Sequence, residues 1–345
     1  MKYKDETIWF DLGTPKQVAF FEPIIKEIQG RGIDCLITTR KSENYTEPIK
    51  LLELKGLQYY SLGEYGGEKL KSKLSSALNR QIALNEFIQN FRIRRLVNLG
   101  SVDGCRVAFG NGIEIVSFFD IPSRGIDGSL TPIARLTLPI STRIFHPFVV
   151  PRSYFTHFVG DENVYTYDFL DPVIYLQAQT PDDSFFKTLK IDKSKKTVVF
   201  REEEYKASYV TNKTKFAYNA LKNIDANLIV IPRYESSHLK EEFPHAIIVE
   251  EKMDLSKLLP FADIFIGGGG TINIEACYWG TPVISTRSFV AHYDKFLIDS
   301  KLMFLAQTEG EIIKLYKEHA GKRLTNNVLR EQHADVKSLV DEVIK

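Results

Sequence analysis

The sequence predicts an α/β protein built from two doubly wound, Rossmann-like domains that face each other across a cleft. Three observations lead there. A chain of 345 residues is the length of about two ordinary domains. Short β-branched or aromatic runs alternate with longer amphipathic ones, which is the rhythm of βαβ units and a parallel sheet. The same rhythm restarts in the second half, after a join near 165–175 where YDFLDPV supplies a proline and short polar residues. The expected domains are therefore 1–168 and 169–345, with the final helix free to pack back on the first domain.

In the first half, 7–11 reads as a strand. Residues 17–30 carry Phe20, Phe21, Ile24, Ile25 and Ile28 at helical spacing, and Gly32 turns the chain into a strand over 34–39. A helix over 47–55, a strand over 58–61 and one or two helices over 69–91 follow. Strands at 95–99 and 114–119 flank a helix over 104–110, and a proline-rich passage leads to a strand near 154–159. The second half reads as strands at 197–200, 227–231, 246–249, 264–266 and 282–285, with helices at 211–222, 255–261 and 271–279. No low-complexity segment or short repeat interrupts either half.

Composition removes several classes of function. Lys and Arg number 45 against 44 Asp and Glu, a net charge of +1, so nothing favours a sequence-independent nucleic-acid binder; small or neutral partners are expected. Cys35, Cys105 and Cys277 stand far apart with no CxxC spacing, which indicates neither a disulfide framework nor a zinc site and fits a reducing cytoplasm. The start, MKYKDETIWFDLG, lacks the apolar core of a signal peptide. The most apolar long stretch, 130–151, is broken by Arg135, Arg143, His146 and four prolines, so no transmembrane segment is expected. Lys69, Lys71, Lys73 and Arg80 read as a solvated helix face; together with Arg92, Arg94 and Arg95 they leave a peripheral membrane contact open.

The strongest local signal is ADIFIGGGGTINIEACYWGTPVIS. A short apolar strand runs into Gly267–Gly270 and then into a helix opened by Thr271, which leaves backbone N–H groups facing an anion. Glycine matters because a side chain would hold a diphosphate away from the backbone. Glu275, one turn after Thr271, can accept the two hydroxyls of a ribose. The plainer alternative is a glycine-rich turn with a solvated glutamate. The spacing is neither GxGxxG nor GxxxxGK[ST], which argues against an NAD site or a P-loop.

With the preceding EKMDLSKLLPF, this segment resembles the donor-nucleotide half of GT-B-fold proteins, the class of MurG-type glycosyltransferases and UDP-N-acetylglucosamine 2-epimerases. The stretches FDLGTPKQVAFFEPIIKEIQGRGIDCLITTR, VAFGNGIEIVSFFD and VVFREEEYKASY resemble an uncharacterised prokaryotic GT-B-like family of about this length. The resemblance implies an acceptor-side first domain and a nucleotide-sugar-binding second domain. It implies that Gly268, Gly269, Gly270 and Thr271 hold a diphosphate, that Glu275 binds ribose and that the main chain around Glu250 meets the base. Lys206 and Ser208 join the site through the resemblance alone.

Several residues fall where this fold does its chemistry. The loop from Asp11 to Gln17 follows the first strand; Asp11 is a candidate general base, with Gly13, Thr14 and Gln17 as contacts, against the alternative that Asp11 caps the turn. Arg201 and Arg233, with Tyr234, end parallel strands, where ligands of open sheets bind, and a guanidinium fork suits a diphosphate; pairing with Glu202–Glu204 or Glu235 is the alternative. Gly100, Ser101, Asp103 and Asp120 follow two further strands, where a carboxylate can act as acid or base. The epimerases carry a catalytic carboxylate in each of those loops, whereas here Ser101 stands where they have aspartate, Leu99 where the nearer family often has histidine, and no second glutamate follows Asp120. His292, in FVAHYDKF, is a better candidate contact than His146, which reads as structural.

The expected activity is glycosyl transfer from a nucleotide diphosphate sugar, a UDP-sugar among the candidates, to an unknown acceptor. No DxD motif is present to hold Mg²⁺, so no metal or further cofactor is expected, and a helix N-terminus with Arg201 would neutralise the leaving diphosphate. The alternatives are a UDP-sugar 2-epimerase and a non-catalytic nucleotide-sugar-binding subunit. Oligomeric state is left open.

Overall fold

The structure, a computed structural model, describes residues 6–41, 46–67, 69–126, 128–202, 215–233, 236–250 and 253–345. Lys206, Ser208, Tyr234 and Glu235 lie outside the described residues. The chain divides into two compact units, Met1–Tyr175 with His333–Lys345, and Leu176–Gln332. Each is a parallel sheet with alternating helices, and the fold is α/β of the GT-B kind.

The first unit holds, among the described residues, seven parallel strands, β1 (Thr7–Asp11), β2 (Cys35–Lys41), β3 (Tyr60–Glu64), β4 (Ile93–Asn98), β5 (Glu114–Phe118), β6 (Arg143–Pro147) and β7 (Val164–Tyr167), in the order β3-β2-β1-β4-β5-β6-β7. The order reverses between β1 and β4, so the crevice outside their carboxyl ends is this sheet's switch point. Asp11 ends β1 and Ser101 follows β4, which places both there. The helix Pro15–Gly30 begins on Thr14, whose hydroxyl accepts the Gln17 N–H, with Pro15 in the first turn, where a missing N–H costs nothing. Its Phe20 and Phe21 meet Phe118 of β5 edge to face at 5.3 and 5.4 Å, so one aromatic cluster fixes the helix on the sheet.

The second unit contains, among the described residues, β8 (Thr197–Arg201), β9 (Asn227–Ile231), β10 (Ile247–Ile248), β11 (Ile264–Gly267), β12 (Val283–Ser285) and β13 (Met303–Leu305), in the order β10-β9-β8-β11-β12-β13. Its switch point lies between β8 and β11, and Arg201 pairs in register with Gly267 across it.

Two expectations are corrected. The strand expected near 154–159 is instead a 3₁₀ turn, Arg152–Tyr154, followed by a helical turn, Thr156–Val159, that stops at Gly160 with φ of 76°. Phe155, between the two turns, is buried and packs against His146 at 4.8 Å. The strands are β6 and β7, and β6 is buried at all five positions, so it lacks the alternation that marks a half-exposed strand. Arg80 and Arg95 are not solvated: they are 3% and 1% exposed.

Arg95 explains how the last helix, Val336–Ile344, is held on the first unit. The final carbonyls of a helix have no partners within it. Arg95 donates to the Val343 carbonyl, and Arg143 donates to Glu342 at 2.6 Å and Val343 at 3.1 Å. Glu114 of β5 accepts from both arginines, at 3.0 and 2.8 Å, so the two cations that cap the helix share one anion. No helix among the described residues is long and apolar enough to cross a membrane.

Candidate active site

At the first switch point, Asp11 lies 2% exposed beneath the guanidinium of Arg80. Arg80 Nη1 is 3.0 Å from Asp11 Oδ2 and 2.5 Å separates Nη2 from Oδ1. Thr38 donates to Oδ1 at 2.7 Å, and Ser101 Oγ donates to Oδ2. Burial pushes the Asp11 carboxyl up, but the Arg80 charge and the hydrogen bonds from Arg80, Ser101 and Thr38 outweigh it and hold the group below its ordinary value. Such a carboxylate stays ionised, and its lone pairs are already engaged. Asp11 is therefore the counter-charge of Arg80 in this cluster.

Asp103 belongs to the same cluster. It accepts from Gln81 Nε2 at 3.0 Å and from Arg80 Nη1 at 3.3 Å. Ser101 caps the helix Val102–Gly110 by accepting the Gly104 N–H. A Cβ on Gly104 would stand 3.0 Å from Asp11 Oδ2, so glycine lets this helix approach the carboxylate. Gly13 and Gln17 form a neighbouring brace: Gln17 Oε1 accepts the Gly13 N–H at 2.6 Å and Nε2 donates to the Leu99 carbonyl at 2.7 Å. Gly100 takes φ of 70° at the turn beyond.

Asp120 sits apart, in a second cluster of the same unit. Lys16 Nζ bonds Asp120 Oδ2 and lies 2.8 Å from Asp171 Oδ2, while Tyr167 donates to Asp171 Oδ1 at 2.7 Å. Burial pushes the Lys16 ammonium down, but its two carboxylate neighbours outweigh that and raise it. Burial raises the Asp171 carboxyl, Lys16 opposes this, and Asp120 adds to the rise. The cluster thus pairs a partly accessible carboxylate, Asp120, with a buried one biased toward its protonated form. His146 is buried; its ring bonds the Thr166 hydroxyl at 2.9 Å and the Pro147 carbonyl at 3.1 Å, and burial lowers its basicity. It is a satisfied structural histidine.

In the second unit, β11 ends at Gly267, Gly268 is buried, and Gly269 caps the helix Gly270–Tyr278 in extended conformation. None of these glycines needs positive φ. Their requirement is steric: a Cβ on Gly267 would lie 2.9 Å from the Arg201 carbonyl, and one on Gly270 would collide with the Tyr293 hydroxyl and reach 3.2 Å from Arg287 Nη1. Arg287 is 6% exposed, bonds Asp294 Oδ2 at 2.7 Å, donates to Tyr293, and stacks on Phe289 at 4.0 Å. A buried guanidinium therefore stands beside the helix N-terminus, where the dipole also favours negative charge. Thr271 and Glu275 share one partly exposed face, and His292 opens the helix His292–Asp299.

The structure brings Arg201 next to the glycine turn through the β8–β11 register. Arg233 lies two residues beyond the end of β9, one strand further out. Glu250 follows β10 at the surface, where hydrogen bonds from Lys240, at 2.7 Å, and Ser236 lower its carboxyl. Burial pushes the Cys35 thiol up to about 12 and raises Cys105 and Cys277 as well, which disfavours the thiolate at all three.

Sequence reasoning missed Arg80, Lys16, Asp171 and Arg287. Arg80 had a legible signal, because it shares a helical face with Leu84 and Ile88, and a cation in a core-facing row needs a buried anion. Asp171 was absorbed into the expected linker. Gly270→Val is expected to destabilise the second unit by about 1–3 kcal/mol through overpacking against Tyr293. Urea unfolding followed by fluorescence would show it, and an unchanged midpoint would contradict the packing argument.

A family profile described as "Protein of unknown function (DUF354)" matches residues 6–345. The chain is 29% identical over 328 residues to the uncharacterized protein MJ0665 of Methanocaldococcus jannaschii, covering 92% of each. Among solved structures it is similar to the UDP-GlcNAc 2-epimerase of Neisseria meningitidis bound to UDP-GlcNAc, with a TM-score of 0.77, 13% identity, and 98% and 99% of the two chains covered. It is also similar to Acinetobacter baumannii MurG, with a TM-score of 0.56, 14% identity and 98% of each chain covered.

Proposed function

We propose that this chain, which belongs to the DUF354 family of proteins of unknown function, is a metal-independent glycosyltransferase that takes its sugar from a nucleotide diphosphate. The observation that carries the reading is the glycine turn of the second unit, where free N–H groups of a nine-residue helix stand beside the buried guanidinium of Arg287. That arrangement supplies fixed positive potential for a leaving diphosphate, the charge that develops as the glycosidic bond breaks. In this reading Arg201 adds a second cation at the neighbouring strand end, and Glu275, partly exposed on the helix Gly270–Tyr278, accepts ribose hydroxyls. Asp120 serves as the base that deprotonates the acceptor hydroxyl, since it is more accessible than Asp11 and is not tied to Arg80, whereas Asp11 with Asp103 holds Arg80 and the loops around it.

Binding is tested by thermal shift against nucleoside diphosphates and UDP-sugars. The Neisseria structure was solved with UDP-GlcNAc, which makes UDP-sugars the first ligands to try. At 100 Kd of ligand the folded state gains about 2.7 kcal/mol, and Glu275→Ala is expected to lower affinity about tenfold by removing the ribose contact. A shift unaffected by E275A would remove Glu275 from the site, and no shift with any nucleotide would sink the proposal. Epimerisation is the second reading, favoured by the Asp120–Lys16–Asp171 cluster, because it brings two carboxyl groups to one lysine, and a pair of carboxyl groups is what an acid and base require. Incubation with a UDP-sugar and no acceptor separates the two: an epimerised sugar or free UDP points to the second. In either case Asp120→Asn should reduce turnover at least a hundredfold while leaving the thermal shift intact.

A further inference from the structure

The helix Leu70–Ile88 carries two faces of opposite use. Its inner face presents Arg80, Leu84 and Ile88 to the first unit. Its outer face exposes an apolar row at every fourth residue: Leu70 is 76% exposed, Leu74 61%, Leu78 50% and Ile82 60%. Single exposed leucines are ordinary, but four in one row form a continuous patch. From residue 74 to 85 the sequence LSSALNRQIALN holds one charge, Arg80, and that side chain is buried. The exposed side chains beside the row are Ser75, Asn79 and Asn85. Interface cores are depleted of charge in just this way.

We infer that this face pairs with the same face of a second copy of the chain, in an antiparallel, two-fold arrangement centred on Leu78. The row is symmetric about that residue. With Leu78 on the axis, Leu74 meets Ile82 of the second copy, and Leu70 meets Glu86, which continues the same row. Lys71, next to Leu70, then lies beside the second copy's Glu86, and both are exposed. A charge-free centre with opposite charges at its two ends is what a self-complementary surface requires, since every residue is presented twice. Rows at i, i+4 are also the ridges that interlock when two helices cross at about −50°. The four apolar side chains expose on the order of 400 Å², half of the roughly 800 Å² that each partner buries in a standard interface, and the polar neighbours extend the patch. A membrane surface fits less well. Lys69, Lys71 and Lys73 cluster at one end, whereas a helix lying on anionic lipid carries cations along its length. The pairing would also brace the helix that delivers Arg80 to Asp11.

Sedimentation equilibrium of the full chain tests this. The expected mass is twice the 39.5 kDa of one chain. Leu78→Arg places two cations on the axis and is expected to return the mass to one chain with unchanged circular dichroism, because Leu78 is half exposed. Lys71→Glu and Glu86→Lys should each weaken association at least tenfold, and the double swap should restore it. A monomeric wild type, a dimer that survives Leu78→Arg, or single swaps that the double swap fails to rescue would each overturn the proposal. Co-sedimentation with phosphatidylserine vesicles that Leu78→Arg abolishes, with wild type monomeric in solution, would instead assign the face to a membrane.

Discussion

Arg80→Met is expected to lower the stability of the first unit by about 3–5 kcal/mol at neutral pH, because it leaves Asp11 and Asp103 buried without their counter-charge. The methionine keeps most of the volume, so the loss reports charge rather than a cavity. The effect depends on pH in a definite direction. Asp11 has a depressed carboxyl in the folded protein, so the wild-type pairing contributes stability that is fully present above the unfolded carboxylate range, near pH 4, and is lost as pH falls through the folded value. In the variant the Asp11 carboxyl, without the Arg80 charge, is easier to protonate when folded. The gap between the two proteins should therefore narrow as pH drops from 7 toward 4. Urea titrations at several pH values measure it, and a gap below about 1 kcal/mol at pH 7, or one that does not narrow, would show that Arg80 is not what keeps these carboxylates buried. Arg80→Lys should recover only part of the loss, because an ammonium cannot bond Asp11 through two parallel N–H groups.

Arg95→Met should cost about 2–3 kcal/mol and release the helix Val336–Ile344. The side chain is almost wholly buried, and its removal leaves the Val343 carbonyl with Arg143 alone. The cost is smaller than for Arg80 because Glu114 keeps Arg143 at 2.8 Å and is itself partly solvated. Hydrogen exchange locates the effect: amides of the last helix should exchange faster while those of β1 and β4 keep their protection. Adding Arg143→Met should couple with it by more than 0.5 kcal/mol, since both guanidinium groups share one carbonyl and one carboxylate. Unchanged protection in the single variant would mean that apolar packing alone, through Leu339, Val340 and Val343, holds the helix.

The features that could be read ahead of the structure are those governed by local periodicity. Phe20 to Ile28 at helical spacing, the strands of β1, β2, β8 and β9, and the glycine turn into the Gly270–Tyr278 helix all announce themselves within a few residues, because strand, turn and cap each have a local chemical cause. β6 escaped because a strand buried on both faces has no alternation to show. Ser101 and Asp103 were read as candidates by following strand ends, and in the structure Ser101 bonds Asp11 while Asp103 bonds Arg80, the cation that Asp11 also binds. Arg80 escaped because its partner is 69 residues away.

Two doubly wound units and a glycine-lined helix N-terminus thus follow from the order of residues along the chain, since hydrogen bonding and apolar spacing are settled between near neighbours. Which charges face one another follows from nothing local. Asp11 reads as a general base or a turn cap in sequence and as the anion beneath Arg80 in space, because a carboxylate's protonation is set by what surrounds it, and those surroundings arrive from β2, from the loop after β4 and from a helix that begins at Leu70.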